Sequence, residues 1–539
     1  LLLGLSAPLA AASEITERLR LRLESLEPGR LIADGEVIYA AEPLRAVYDR
    51  RGYTPIWFTQ KAPRPLLRQL PELLQLAARE GLVPADYHLA ALQRGLQRLQ
   101  GRADARVAVD VELQATDALL TLAAHFQHGK VVPTTIDPEW FLPLSAAQES
   151  TPLIEAVLRN DREGLLADLT ARLPQTPAYA ALRERLAMQT QLAQTDWPRL
   201  PGGGRALRQG DRDARVVALR QRLLTLGDHA QTPGTDETFD AALHEAVLAF
   251  QRRHGLDADG IVGAGTLAAL NVTPAERIAQ LRVNMARWRW LPRDLGTEYI
   301  LVNIAGFSMD VVAQGETVMR QRVIVGRPYR QTPVFSGRMT YLVLNPSWEV
   351  PQSLASKDLL PQIQADSAFV ERMGFSVLQG WGAQERSIDP ASVNWSNVSA
   401  TRFPYRLRQK PGPLNALGRV KFMFPNEHNV YLHDTSAPSL FAKEGRAFSS
   451  GCIRVSDPQA LTNWLLHGPN RPVAMSPDKI RQTLDQGQET TVRLGRAVPV
   501  HLLYWTAWVD EDARVQYRPD IYTRDAALLQ ALDAPPPTL

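Results

Sequence analysis

The chain has 539 residues, 45 % apolar and 22 % charged. That balance excludes a largely disordered chain and a multi-span membrane protein, and at roughly 150 residues per domain the length predicts about three or four domains. Lys plus Arg is 60 and Asp plus Glu is 57, a net charge of +3, so charge points to no nucleic-acid partner.

Residues 1–12 read LLLGLSAPLAAA, an apolar run ending in small residues, like the tail of a secretory signal. They predict export to the periplasm, with inner-membrane association if the segment is retained. No later stretch reaches the roughly 18 uninterrupted apolar residues of a membrane span. Residues 13–200 read as a helical scaffold domain. Leu70, Leu73, Leu74 and Ala77 fall at helical spacing, as do Ala115, Leu119, Leu122 and Phe126, with prolines dividing the helices. Tyr48, Tyr53, Trp57 and Phe58 form an aromatic cluster that reads as core, and His125 and His128 read as ordinary helix residues.

Pro201-Gly202-Gly203-Gly204 marks a linker. Residues 205–272 then read as a compact three-helix module, with Val216, Leu219 and Leu223 on one stripe, Val247 and Phe250 on another, and Thr266 as a candidate N-cap. The text AFQRRHGLDADGIVGAGTLAALN resembles the peptidoglycan-binding type 1 domain, which implies contact with glycan strands through 205–272. Residues 273–297 read as a connecting helix with Ile278, Leu281, Met285 and Trp288 on its buried face.

From Tyr299 the pattern changes to short β-branched strands. Residues 298–498 read as a β-rich domain, interrupted over 352–405 by a polar stretch with helical pieces. Residues 499–539 read as carboxy-terminal strands and a tail, with Pro535-Pro536-Pro537 ending the ordered chain. The predicted fold class is multidomain α+β.

The chemistry-bearing text is YLHDT at 431–435 and RAFSSGCIR at 446–454. The only thiol, Cys452, cannot form an intrachain disulfide; it is either buried and inert or placed for chemistry. It follows Gly451, whose backbone can approach a substrate carbonyl, and precedes Arg454, whose charge favours thiolate over thiol. His433 ends a predicted strand, so a strand-end imidazole and a loop thiol form a candidate nucleophile–base pair; a buried thiol beside an unrelated histidine is the other reading of these residues.

The full pattern resembles the motif of the L,D-transpeptidase (YkuD) family, H-x(14–17)-[ST]-H-G-C-x-[NR], at His433, Ser449, Gly451, Cys452 and Arg454, with Ser450 in place of the second His. NPSWEVPQS at 345–353, QKPGPLNALGRVKFMFPN at 409–426 and PVHLLYWTAWVD at 499–510 resemble the large Gram-negative subclass, with a helical scaffold, a peptidoglycan-binding module and a capped catalytic domain. The resemblance implies a Cys452 thioester, formed on a tetrapeptide stem with release of D-Ala and resolved by an acceptor stem to a 3→3 cross-link. His433 would be the base. Gly451 and Cys452 N–H groups, with the Tyr431 hydroxyl, would hold the oxyanion, and Arg454 would hold a carboxylate or brace the loop. Ser449, Ser450, Trp348 and Asn345 are candidate substrate-binding residues, and 352–405 is a candidate lid.

No cofactor and no metal are implied; the partners are donor and acceptor stems, glycan strands and other cell-wall synthases. Hydrolysis of the same thioester, as an L,D-carboxypeptidase or at another wall linkage, and a non-catalytic wall-binding scaffold are the alternatives. Papain-like hydrolases place Cys before His, and no H-E-x-x-H of a zinc peptidase occurs.

Overall fold

The computed structural model describes residues 7–24, 31–59, 62–100, 104–228, 235–468 and 474–539, without side chains for 7–13. Of the apolar amino-terminal segment, 1–6 lie outside the described residues and 7–12 open the helix Ala7–Glu24. Among the described residues no helix is long and apolar enough to cross a membrane. The chain forms two compact units: Leu1–Pro138, Leu142–Arg293 and Trp505–Leu539 make the first, and Glu139–Phe141 with Asp294–Tyr504 make the second.

The first unit is helical. Its amino-terminal part surrounds the helix Ala105–His128, which Asp104 caps by accepting from the Arg106 and Val107 N–H groups. That helix is buried nearly all round, so its polar residues find internal partners. Glu112 accepts from the Tyr48 hydroxyl at 2.6 Å and the Trp57 N–H at 3.0 Å, and burial pushes its carboxyl up to about 7. His125 accompanies the Tyr87 hydroxyl at 2.9 Å, and Tyr48, Trp57 and Phe58 are core.

The module that follows has helices Arg215–Thr225, Ala241–Arg253 and Ala264–Leu270. Leu219, Leu223, Leu243, Val247 and Phe250 meet in one core. Gly263, not Thr266, is the N-cap of the last helix. Thr266 is buried within it, its hydroxyl donating to the Ile261 carbonyl and accepting from Gln251.

Two expected segment boundaries change. The helix Pro274–Arg289 starts at a Thr273–Glu276 capping box, but it is a central element of the first unit rather than a connector. Leu281, Val283, Met285 and Ala286 are buried, and so are Arg287 and Arg289. Residues 499–539 do not form one segment either. Residues 499–503 finish the strand Thr490–Leu503 of the second unit, whereas the chain from Trp505 packs into the first. There Asn284 and Thr506 exchange hydrogen bonds at 2.8 and 2.9 Å, Arg287 pairs with Asp525 at 2.7 Å, and the Trp288 and Trp505 rings stack at 4.6 Å. The final prolines do not end the ordered chain: the Leu539 N–H donates to the Tyr39 carbonyl at 2.7 Å.

The second unit is built on a nine-stranded sheet. Its order is 447–449, 316–326, 453–455, 432–433, 420–423, 335–344, 490–503, 298–303, 308–313, and the last strand also pairs with 316–326. Eight strands therefore close on themselves, which removes open edges. The alternation that predicted strands fills the interior with Ile300, Val302, Met309, Val311, Val323 and Leu342. The insertion is more ordered than its polarity suggests. It forms a four-stranded sheet, 348–349, 406–409, 375–379, 386–388, over its own core of Val350, Leu360, Ile363, Phe375, Val377, Trp395 and Leu407. Charged pairs hide these strands in the sequence: Arg406 and Arg408 both bridge Glu349 and Glu385.

Truncating the fully buried Phe250 to Ala is expected to cost about 3–5 kcal/mol. Calorimetry should show an earlier transition for the helical unit and an unchanged one for the sheet unit.

Candidate active site

The two-residue strand Leu432–His433 assembles the site through its register. It runs antiparallel to Val420–Met423, pairing Lys421 with His433 and Phe422 with Leu432. It runs parallel to Ile453–Val455, pairing Leu432 with Ile453 and His433 with Arg454. Paired residues share a face, and alternate residues along a strand return to it. Phe422, Leu432 and Ile453 are fully buried on one face. Lys421, His433 and Arg454 lie on the other, and Tyr431 and Cys452, each two residues back, extend that row.

The Cys452 thiol is partly exposed and lies 3.7 Å from the Asn429 carbonyl. Its turn is tightly specified. Gly451 has φ +114°, a conformation that favours glycine. Its N–H donates to the Ser449 hydroxyl at 3.2 Å, and its carbonyl accepts from the Thr332 hydroxyl at 2.8 Å. The Ser449 hydroxyl donates to the Cys452 carbonyl at 2.5 Å.

The His433 ring is buried and its Nδ1 lies 2.5 Å from the Asp434 carbonyl. A carbonyl only accepts, so Nδ1 carries the proton and Nε2 is left as the base. Burial, reinforced by the charges of Arg454 and Lys421, pushes His433 down to about 3. Burial also pushes the Cys452 thiol up; hydrogen bonds from the Tyr431 N–H and hydroxyl, and the charges of Lys421 and Arg454, oppose it without winning. The resting site therefore holds a neutral thiol and a neutral imidazole on one face. This corrects the expectation that Arg454 would tip the thiol to thiolate: desolvation outweighs the neighbouring cation.

The other expected residues divide by what their polar atoms do. Tyr431 sits between Lys421, whose Nζ is 4.0 Å from its ring centre, and His433, 5.6 Å away ring to ring. Burial, then the Cys452 charge, raises the Tyr431 hydroxyl far above its ordinary range, with a hydrogen bond from Trp348 opposing. Trp348 thus reaches the site from the first strand of the insertion. Arg454 carries a buried Nε with no hydrogen bond among the described residues, and burial pulls its guanidinium down.

Asn345 does not face substrate. It is buried, and its amide donates to the Thr483 and Gln488 carbonyls at 2.8 and 3.3 Å. Ser449 is likewise buried and committed to the turn. Its bond to the Gly451 N–H also removes that group from the expected oxyanion donors. Ser450 is exposed and accepts from Arg330 at 3.1 Å.

Three residues of this arrangement are new to the reading. Lys421 was legible from period two in VKFMF, which puts it opposite Phe422. Arg330 and Asp358 were not. Arg330 holds Ser450 and grips both carboxylate oxygens of Asp358, which sits in a π-helical turn, Ala355–Leu359, of the insertion. Among the described residues no group of three or more His, Cys, Asp or Glu could hold a metal ion.

With this geometry in hand, residues 297–475 match the model of the YkuD L,D-transpeptidase catalytic domain. The chain carries that domain. Residues 212–270 match the putative peptidoglycan-binding domain and 42–186 a scaffold domain. A putative L,D-transpeptidase of Haemophilus influenzae is 35 % identical over 246 residues, 46 % of this chain and 48 % of that protein. N-acetylmuramoyl-L-alanine amidase CwlM of Mycobacterium tuberculosis is 49 % identical over 75 residues, 12 % of this chain and 18 % of that protein. The chain spans about half or less of the length of these curated relatives. The crystal structure of an L,D-transpeptidase from Xylanimonas cellulosilytica overlaps at TM-score 0.18 and 17 % identity, covering 56 % of this chain and all of that one. An overlap at that score carries no weight for the fold.

Cys452 is the only thiol, so its alkylation by iodoacetamide reports its ionisation. The rate should rise with a midpoint above the ordinary thiol value of about 8.5. Lys421→Met removes a charge that favours thiolate and should move the midpoint higher still. His433 titrates at about 3 when folded, against about 6.5 unfolded. Its neutral burial therefore adds stability that is present above about 6.5 and lost as pH falls toward 3. Denaturation at neutral and mildly acidic pH should show a smaller acid loss in His433→Gln.

Proposed function

We propose that the chain is an L,D-transpeptidase that joins peptidoglycan stem peptides in 3→3 cross-links through a Cys452 thioester. The reading rests on the row that places the sole thiol and a buried neutral imidazole on one face of the sheet, within a YkuD catalytic domain.

In the first half-reaction His433 Nε2 takes the Cys452 proton as sulfur attacks the carbonyl of the third stem residue, at the L-centre of meso-diaminopimelate. The C–S bond forms, the bond to D-Ala breaks, and the proton passes from the imidazole to the departing amine. The Cys452 N–H and the Tyr431 hydroxyl are the oxyanion donors; one such donor is worth ~3 kcal/mol. Lys421 and Arg454 offset the charge that appears on sulfur. In the second half-reaction the side-chain amine of an acceptor stem attacks the thioester and returns the thiol. Arg454 receives a stem carboxylate, and the insertion covers the groove as a lid, latched to the nucleophile turn by Arg330 and Asp358. The substrate places the protein outside the cytoplasm, in the periplasm, where residues 205–272 hold glycan strands. The same thioester is the expected site of carbapenem acylation.

Purified wild-type and Cys452→Ala protein incubated with disaccharide-tetrapeptides test this by mass spectrometry. A tetrapeptide–tripeptide dimer made only by the wild type is expected. Loss of D-Ala without dimer would replace transpeptidation by L,D-carboxypeptidation, and no change in either sample would overturn the enzyme reading. Asp358→Asn weakens the latch and is expected to lower dimer formation several-fold while leaving alkylation of Cys452 unchanged.

A further inference from the structure

Within the helical unit, away from Cys452, a cleft of about 330 Å³ opens between the three-helix module, the helices Pro177–Leu192 and Pro274–Arg289, and the strand Val515–Tyr517. Its lining includes Arg185, Arg253 and Arg277 with Trp197, His254 and Tyr517, and no carboxylate. Arg253 is neutralised by Asp228, which it meets through two hydrogen bonds. The other two arginines have no ion pair within 4 Å among the described residues, although the Glu276 charge acts on Arg277 from its neighbouring position. Arg277 bonds only the neutral Gln280 amide oxygen at 2.8 Å and lies 4.2 Å over the Tyr517 ring. Burial pulls Arg277 down to about 10, which leaves it cationic at neutral pH.

Two further donors face no partner. Tyr517 is 3 % exposed, and among the described residues its hydroxyl makes no hydrogen bond and the buried Trp197 indole N–H is equally unpartnered. A buried donor without an acceptor is destabilising unless something fills the role. His254 adds no charge. It stacks between Phe250 at 3.8 Å and Tyr517 at 5.4 Å, and burial holds it well below its ordinary range. The cleft thus offers two guanidiniums outside any direct ion pair, two unused donors, aromatic rings and an apolar floor, a set complementary to an acceptor-rich carboxylate on a short peptide or sugar.

We propose that this cleft is a second, non-catalytic binding site that takes a carboxylate of a peptidoglycan stem peptide. The naming of the stem rests on the function proposed above; the anion-binding character rests on the cleft alone. Arg277 and Arg185 hold the carboxylate, Tyr517 and Trp197 donate to it, and the site tethers the protein to its polymer while Cys452 turns over other stems.

The experiment is hydrogen–deuterium exchange on the full chain in the Cys452→Ala form, which removes turnover. Disaccharide-tetrapeptide should slow exchange over 185–197 and 515–517. A ligand with its carboxyls amidated should not. Arg185→Gln, a half-exposed position where folding is not at risk, and Arg277→Gln should each weaken the protection about fivefold or more in ligand concentration. Absence of protection in these segments, equal protection by the amidated ligand, or unchanged concentration dependence in both variants would overturn the proposal. Protection that persists when the wild-type protein makes no cross-link would leave the cleft standing and remove only the transpeptidase reading.

Discussion

The site depends on the pairing of Leu432–His433 with strands on both sides. Two residues are a short strand, yet an antiparallel neighbour and a parallel one fix them from opposite edges. A slip of one residue would turn His433 into the core and Leu432 to the groove. The fully buried Phe422, Leu432 and Ile453 resist that slip by the apolar area they would expose. The hydrophobic core thus sets the direction of the imidazole, and the groove needs no contact of its own to aim it. The turn before Cys452 works on the same plan. Ser449 and Thr332 hold its backbone, so the thiol is the side chain left with room to react.

Desolvation is the second constraint. The same burial that keeps His433 neutral raises the Cys452 thiol; the cations Lys421 and Arg454 reinforce the first effect and oppose the second without reversing it. Such a pair is quiet until a substrate changes its surroundings. In the proposed reaction, a charge forming on sulfur would meet two cations and two Tyr431 donors already in place, so little reorganisation would accompany it.

The sequence disclosed the parts of this site that lie close together along the chain. The spacing of His433, Gly451, Cys452 and Arg454 is local text, and period two in VKFMF puts Lys421 on the same face. What it hid depends on distant pairings. Asn345 is a candidate groove residue by sequence, but it sits in a left-handed backbone conformation and its amide donates to the Thr483 and Gln488 carbonyls. Arg330 and Asp358 carry no motif, and only the folded insertion brings them together. The insertion read as polar because Glu349, Glu385, Arg406 and Arg408 interrupt its strands, although the four charges neutralise one another. The helix Pro274–Arg289 read as a connector from its apolar stripe. Its buried arginines are matched by distant residues, Arg287 by Asp525 and Arg289 by Glu80 and Tyr179, which no local pattern reports.

The strand Thr490–Leu503 lies inside the large sheet, between 335–344 and 298–303, and the chain then leaves for the helical unit to supply the hairpin 507–517 and the helix Asp525–Asp533. Neither unit can close before residues 490–533 have been synthesised. A chain threaded from its amino-terminal end across a membrane would therefore emerge with both cores incomplete until its last tenth arrived. Such a chain would carry the strands 298–303 and 335–344 with one edge each open, paired only to 308–313 and 420–423, until 490–503 enters between them.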